Sequence, residues 1–172
     1  MTILRAPDPR LRVKTKLVKK ITPELLKVAK EMIKIASSYT DPEGVGLSTT
    51  QIGRDERFFV AKLQKEFHPY FNPQILNFSK KKEIYFEGCL SVPDYYGEVK
   101  RSMIVTVTYQ DKTGKEFKKI LKGPPAWIFQ HEFDHINGIL FVDRVLEQKG
   151  RMFKLMGKDA AGGDMFEEVA LV

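Results

Sequence analysis

The strongest constraint on this fold is one segment, Pro124 to Gly138, which is punctuated at both ends and two-faced along its length. Pro124-Pro125 opens it, because proline's missing N–H costs little in a first helical turn. Asn137-Gly138 closes it, because glycine tolerates the left-handed conformation just past a helix end. The spacing predicts a helix of about thirteen residues. Phe129, Phe133 and Ile136 recur at i, i+4 and i+7 and make an apolar packing stripe. His131 and His135 lie one turn apart on another face, within roughly 40° of each other. A helix with a core face and a face for chemistry belongs in the middle of a fold.

The elements around it are of two kinds. Thr22-Pro23-Glu24 caps a long amphipathic helix with Leu25, Leu26, Ala29, Met32, Ile33 and Ala36 on its packing face, ending near Ser38. Short β-branched and aromatic runs follow at Arg57–Leu63, Gln74–Phe78, Glu83–Leu90, Glu98–Tyr109 and Glu116–Lys122. Asp111-Lys-Thr-Gly114 between two of them is a hairpin signal, so the strands are expected to be antiparallel. The expected class is α+β, with antiparallel sheets packed around the central helix and one further long N-terminal helix. Residues 1–172 are read as a single catalytic domain, a length well able to bury one core. From about residue 149 the signal weakens. Lys149–Met156 is read as a helical turn, Ala160–Asp164 as a flexible link and Phe166–Val172 as an edge strand.

Charge and hydropathy narrow the class. The longest apolar stretches fall far short of the roughly 20 residues that span a bilayer, and the N-terminus has no apolar signal core. No membrane partner is expected, and a cytoplasmic location follows. The formal net charge is +7, with lysines clustered at Lys14-Lys16-Lys19-Lys20, Lys80-Lys81-Lys82 and Lys115-Lys118-Lys119. Such a field attracts polyanions such as RNA. No recognised nucleic-acid motif interleaves aromatics with these lysines, so specific DNA is not expected and a solvated lysine face is the favoured reading.

The chemistry starts from His131-Glu132-Phe133-Asp134-His135. Both imidazoles can reach one metal ion, while Glu132 is rotated too far to chelate with them and is placed to hold a proton of water, as in His-Glu-x-x-His hydrolases. An open catalytic site needs a third protein ligand. No histidine follows His135, and Asp143 and Glu147 come too soon after the helix. The single cysteine, Cys89, cannot form an internal disulfide, and its thiolate suits zinc or iron. A small buried apolar residue is the alternative. Trp127, one turn before His131, is a candidate wall for an apolar pocket, with Tyr85 and Val45 as weaker candidates and a purely structural tryptophan as the alternative. Glu87 and Arg101 are a candidate charge pair bracing the Cys89 strand, or else a surface pair.

Three blocks then carry a resemblance. Gly44-Val-Gly-Leu-Ser-Thr-Thr-Gln51, Glu87-Gly-Cys-Leu-Ser91 and Gln130-His-Glu-Phe-Asp-His135 resemble, in order, the three signature motifs of the peptide deformylases, and Ile3–Arg12 and Gly138–Phe141 are similar to that family as well. The resemblance implies removal of the formyl group from N-terminal formylmethionine of nascent polypeptides. It implies one divalent metal ion, typically Fe2+ with Zn2+ as the alternative, held by Cys89, His131 and His135. It implies attack by water or hydroxide at the metal, with Glu132 as general base and then acid. Gln51 and the backbone N–H of Leu90 would stabilise the oxyanion, and Gly46 with Val45 would pair with an extended substrate. Two positions depart from the family pattern. Ser48-Thr49 stand where alanines are usual, so buried hydroxyls there need partners. Trp127 stands where a smaller aliphatic residue or arginine is common.

Two rival readings use the same residues differently. A zinc endopeptidase would keep the helix but take another third ligand. A non-catalytic ribosome- or RNA-binding module would use the basic field alone. Ribosome association through that field is also compatible with the deformylase reading.

Overall fold

The computed structural model describes residues 1–170. Its helices are α1 (Pro23–Ser38), α2 (Pro124–His135) and α3 (Phe141–Gln148). Its strands are β1 (Gly46–Ser48), β2 (Phe58–Lys62), β3 (Phe67–Phe78), β4 (Lys82–Cys89), β5 (Val92–Ser102), β6 (Ile104–Gln110), β7 (Glu116–Lys122), β8 (Met152–Lys158) and β9 (Asp164–Val169). They form two antiparallel sheets, β1-β2-β3-β6-β7 and β4-β5-β8-β9. The α+β class and the central helix match the sequence expectation.

Strand β2 explains how the layers stack. Side chains alternate across a strand, yet Phe58, Phe59, Val60 and Ala61 are all fully buried, so both of its faces are covered. Phe58 and Val60 pack with Ala29, Met32 and Ala36 of α1. Phe59 and Ala61 pack with Ala126, Phe129 and Ile136 of α2. The first sheet is thus a layer between two helices. Thr22 caps α1 by accepting a hydrogen bond from Leu25 N at 3.3 Å, as its sequence position anticipates. The second sheet covers the remaining side of α2, and α3 seals its inner face through Val99, Phe141 and Val145.

The strand expectations hold in position, with β3 starting at Phe67 rather than Gln74 and β5 at Val92 rather than Glu98, and two further corrections are needed. The Glu98–Tyr109 run is two strands in different sheets, broken at Met103. The cause is Gln130 of α2, whose amide oxygen accepts from Ser102 N at 3.1 Å and whose Nε2 donates to Ser102 O at 2.8 Å. That side chain takes over the backbone groups a neighbouring strand would use, and the chain crosses between sheets. The second correction is Lys149–Met156, which is not a helical turn. From Met152 it becomes β8, pairing Tyr96 with Phe153 and Tyr95 with Lys154. The expected link falls in the turn closed by Asp159 N donating to Gly163 O at 2.8 Å, and β9 is the edge strand beyond it. The end of that expected strand, residues 171–172, lies outside the described residues.

Helix α3 is absent from the sequence reading. It is eight residues long, its N-cap is Leu140, whose N–H donates to Asp143 Oδ2 at 2.7 Å, and its C-cap is Lys149 at φ 55°. None of the usual capping residue types stands at either end.

Candidate metal centre

Cys89 ends β4, and His131 and His135 lie on α2, which crosses beneath it. One ligand atom from each lies within 4.8 Å of the others. Cys89 Sγ is 3.3 Å from His135 Nε2. Metal–nitrogen and metal–sulfur bonds of about 2.1 and about 2.3 Å would space such donors by roughly 3.5 Å, so the set fits a single small divalent ion. Two imidazoles and a soft thiolate suit zinc or ferrous iron. Nδ1 of His135 is buried and has no hydrogen-bond partner among the described residues, while His131 Nδ1 donates to Glu87 Oε2 at 2.7 Å, leaving its Nε2 for a ligand.

Glu87 organises the support. It is buried, and all its neighbours are donors. Oε1 accepts from Arg101 Nε at 2.7 Å and from Trp127 Nε1 at 2.9 Å; Oε2 accepts from Arg101 Nη2 at 3.0 Å and from His131. Burial works to raise the Glu87 pKa, but Arg101 and His131 outweigh it and hold the carboxyl at about 2. Arg101 in turn donates to Asp134 at 2.6 Å, and Arg144 of α3 donates to both Asp134 oxygens at 2.7 and 3.0 Å. The Glu87–Arg101 pair is therefore internal, and the surface alternative is excluded. Asp134 and Arg144 are its extension, invisible to a sequence reading that lacked α3.

Glu132 lies against the glycine loop. Ser48 Oγ donates to Glu132 Oε2 at 2.9 Å, and Gly46 packs so tightly that a Cβ there would run into the carboxylate. Gly46 is therefore required by packing as well as by any approach of substrate. Burial raises the Glu132 pKa to about 7, with His131 and Ser48 opposing the rise. Burial also works to lower the pKa of both histidines, and His135 sits well below the ordinary range with the neighbouring His131 adding to the effect. For His131, hydrogen bonds to Cys89 and Glu87 reverse the sign and hold it well above. The hydroxyls that replace alanines all find partners. Thr49 Oγ1 donates to Glu56 O at 2.6 Å, and the neighbouring Thr50 Oγ1 donates to His135 O at 3.1 Å.

Gln51 joins the loop to the cysteine. Its Oε1 accepts from Ser48 N at 2.9 Å; its Nε2 donates to Ser91 Oγ at 3.0 Å and to Cys89 Sγ at 3.4 Å. Ser91 N also donates to that sulfur at 3.4 Å. Ser91 stands within the second block, although the sequence reading assigned it no role. The N-terminal segment clasps both loops, with Leu4 N donating to Gln51 O and Ala6 N to Ser91 O.

These groups open onto a cavity of about 740 Å³, a size usual for ligand sites. Val45, Gly46, Gln51, Leu90, Trp127, His131 and Glu132 line it, so the structure brings most of the sequence-selected residues together. Tyr85 does not line it. Its ring stacks on Trp127 at 4.8 Å between centroids and backs that wall from behind.

A sequence profile described as polypeptide deformylase matches residues 1–151. The chain belongs to the polypeptide deformylase family. A peptide deformylase of Mesorhizobium japonicum is 41% identical over 168 residues, covering 92% of this chain and 94% of that protein. One of Thermotoga neapolitana is 40% identical over 154 residues, covering 90% and 92%. Among solved structures, the Thermotoga maritima peptide deformylase aligns with a TM-score of 0.78 at 39% identity, over 83% of this chain and 95% of that one. The Plasmodium falciparum peptide deformylase, solved with an inhibitor, aligns with a TM-score of 0.76 at 38% identity, over 86% and 93%. The deformylase family accounts for the fold and the hydrolase class. The profile match ends at residue 151, just before β8.

Proposed function

We infer that this centre removes the formyl group from N-terminal formylmethionine of newly made polypeptides, giving formate and a free amine. The observation that carries the reading is the trio Cys89, His131 and His135, within 4.8 Å, beside the buried Glu132 carboxylate at an open cleft. Fe2+ is the proposed ion and Zn2+ the alternative. When bound there, a divalent ion supplies Lewis acidity to the attacking water and to the formyl oxygen.

Glu132 takes the proton of the attacking water and returns it to the departing amine nitrogen as the C–N bond breaks. Its carboxyl near neutrality suits both halves of that exchange. The Gln51 side chain and the Leu90 N–H are the proposed oxyanion donors. Strand β1 is an edge strand, paired on one side with β2, so Val45 and Gly46 leave the other side open to an extended peptide. Trp127, backed by Tyr85, is the proposed wall for the methionine side chain. The proposed setting is the cytoplasm, and no helix among the described residues is long and apolar enough to cross a membrane. Docking at the ribosome through the exposed Lys80-Lys81-Lys82 is a further part of the reading, tested by ribosome co-sedimentation after charge reversal.

The test is anaerobic purification with metal analysis and formate release from a formyl-Met peptide, repeated for Cys89→Ala. The expected result is about one ion per chain, formate release, and loss of both in the variant. A Cys89→Ala protein that keeps its metal and cleaves internal peptide bonds would establish the endopeptidase reading instead.

A further inference from the structure

The family profile stops at residue 151, and the β8–β9 hairpin that follows reaches the cleft. Leu155 of β8 lines the same cavity as the metal centre, together with Phe86 and Tyr96 of the neighbouring strands. The register explains this. Gly88, Tyr96 and Phe153 are successive cross-strand partners, so they share the face opposite to Glu87, and Leu155 with its partner Phe166 shares it too. On that face Phe86 stacks on Tyr96 at 5.4 Å and meets Phe166 edge-on at 5.1 Å. Phe86 remains 43% exposed and Phe166 38%, an apolar surface with one edge inside the cleft.

The hairpin is also tied to the opposite wall. Lys158 Nζ lies 2.9 Å from Asp41 Oδ2 and 2.9 Å from Asp164 Oδ1, and Asp41 belongs to the loop that leads to Gly46. This exposed ion pair links the hairpin to the loop on the other side of the cleft. The cavity of about 740 Å³ is lined by Phe86, Tyr96 and Leu155 as well as by His131 and Glu132 of the metal centre. Asp41, Glu43 and Asp94 line the same space, with Asp41 paired to Lys158, and Arg5 is the one cationic lining residue among those described.

We propose that the β8–β9 hairpin builds an apolar subsite from Leu155, Phe86 and Tyr96. It selects formylmethionyl chains with a large aliphatic or aromatic side chain within the three residues after the methionine. Continuity with the metal cavity makes the substrate's own downstream residue the occupant. This rests on the deformylase reading, and the experiment separates the two. Formate release is measured from formyl-Met-Ala-Ser-Ser peptides in which the second, third or fourth residue is replaced in turn by Leu, Phe, Ser or Asp. At one position kcat/KM for Leu or Phe exceeds that for Asp by about tenfold, the gain from burying part of one such side chain. Leu155→Ser and Phe86→Ser each shrink that ratio to roughly twofold or less. Phe86 is 43% exposed, and thermal melting establishes that each variant is folded before its ratio is read. Formate release with no discrimination at any position, or a ratio that survives both substitutions, overturns the subsite alone. No formate from any formylmethionyl peptide overturns the parent reading and the subsite with it.

Discussion

Glu87→Gln is close to isosteric, and the geometry says it is not conservative. Every group that meets the Glu87 side chain is a donor: two nitrogens of Arg101, the indole of Trp127 and the Nδ1 of His131. A carboxylate offers about four acceptor sites and satisfies all of them. A glutamine amide must turn its NH2 toward one of the two donor pairs, whichever way it is flipped. The substitution therefore loses two hydrogen bonds and leaves the buried Arg101 charge short of a partner. Removing one member of a buried pair costs about 3–5 kcal/mol. Arg101 keeps Asp134 at 2.6 Å, which places the loss near the lower end, about 3 kcal/mol. For a chain of this length that is a fall in melting temperature of roughly 6–12 °C. His131 also loses its orienting acceptor in one amide orientation, so metal affinity falls by about 10- to 100-fold. Trp127→Phe is the matched control, since it removes one donor and no charge, and costs about 1 kcal/mol. Urea unfolding of the chelator-treated proteins and metal titration with a competing chelator measure both quantities. A Glu87→Gln protein within about 1 kcal/mol of the parent, with unchanged metal affinity, would refute the donor count and its consequence.

The same carboxylate sets an acid limit. Its folded pKa of about 2 lies below the ordinary 4.5, so its stabilisation is complete above about pH 4.5 and is lost as pH falls toward 2. The urea midpoint of the chelator-treated protein should drop across that window, and the Glu87→Gln variant should show a smaller drop. Gly46→Ala should lower kcat by about 100-fold while metal content stays near one per chain, because the added Cβ displaces the Glu132 carboxylate from its seat. Metal analysis beside steady-state kinetics measures it, and an alanine variant with parental kcat would contradict the packing. Ser48→Ala should lower kcat by a few-fold with KM unchanged, through loss of the 2.9 Å hydrogen bond that holds Glu132, and Ser48→Thr should restore part of it. Equal kcat in all three proteins would show that the loop holds Glu132 without the hydroxyl.

How much of this was readable in advance follows from the range of each interaction. Helix α2 was legible because its signals are local: two prolines before, a glycine after, and apolar and imidazole stripes at helical spacing. Cys89 was legible as a candidate ligand by elimination, as the one soft donor left for a third position, and its block then sharpened the choice, since no local pattern distinguishes a ligand thiol from a buried one. Ser48 and Gly46 were placed in the right loop, but their shared contact with Glu132 spans more than eighty residues of chain. Periodicity carries no information at that distance. Helix α3 escaped because its caps are Asp143 reaching back to Leu140 and a left-handed Lys149. With it went Arg144, and hence the continuation of the Glu87–Arg101 pair to Asp134. The split at Met103 escaped because an unbroken β-branched run looks the same whether it serves one sheet or two. Gln130, which divides it, sits on another element.

Trp127 gives the centre a built-in optical probe. It is the only tryptophan in the chain, its N–H rests on the carboxylate that orients His131, and its ring faces the cleft. Indole emission from the unlabelled protein therefore comes from one site. Loading an ion, seating a peptide or breaking the Glu87 contact each alters the surroundings of that one fluorophore. Occupancy of the centre can be followed by intensity and emission maximum in stopped flow, separately from formate release.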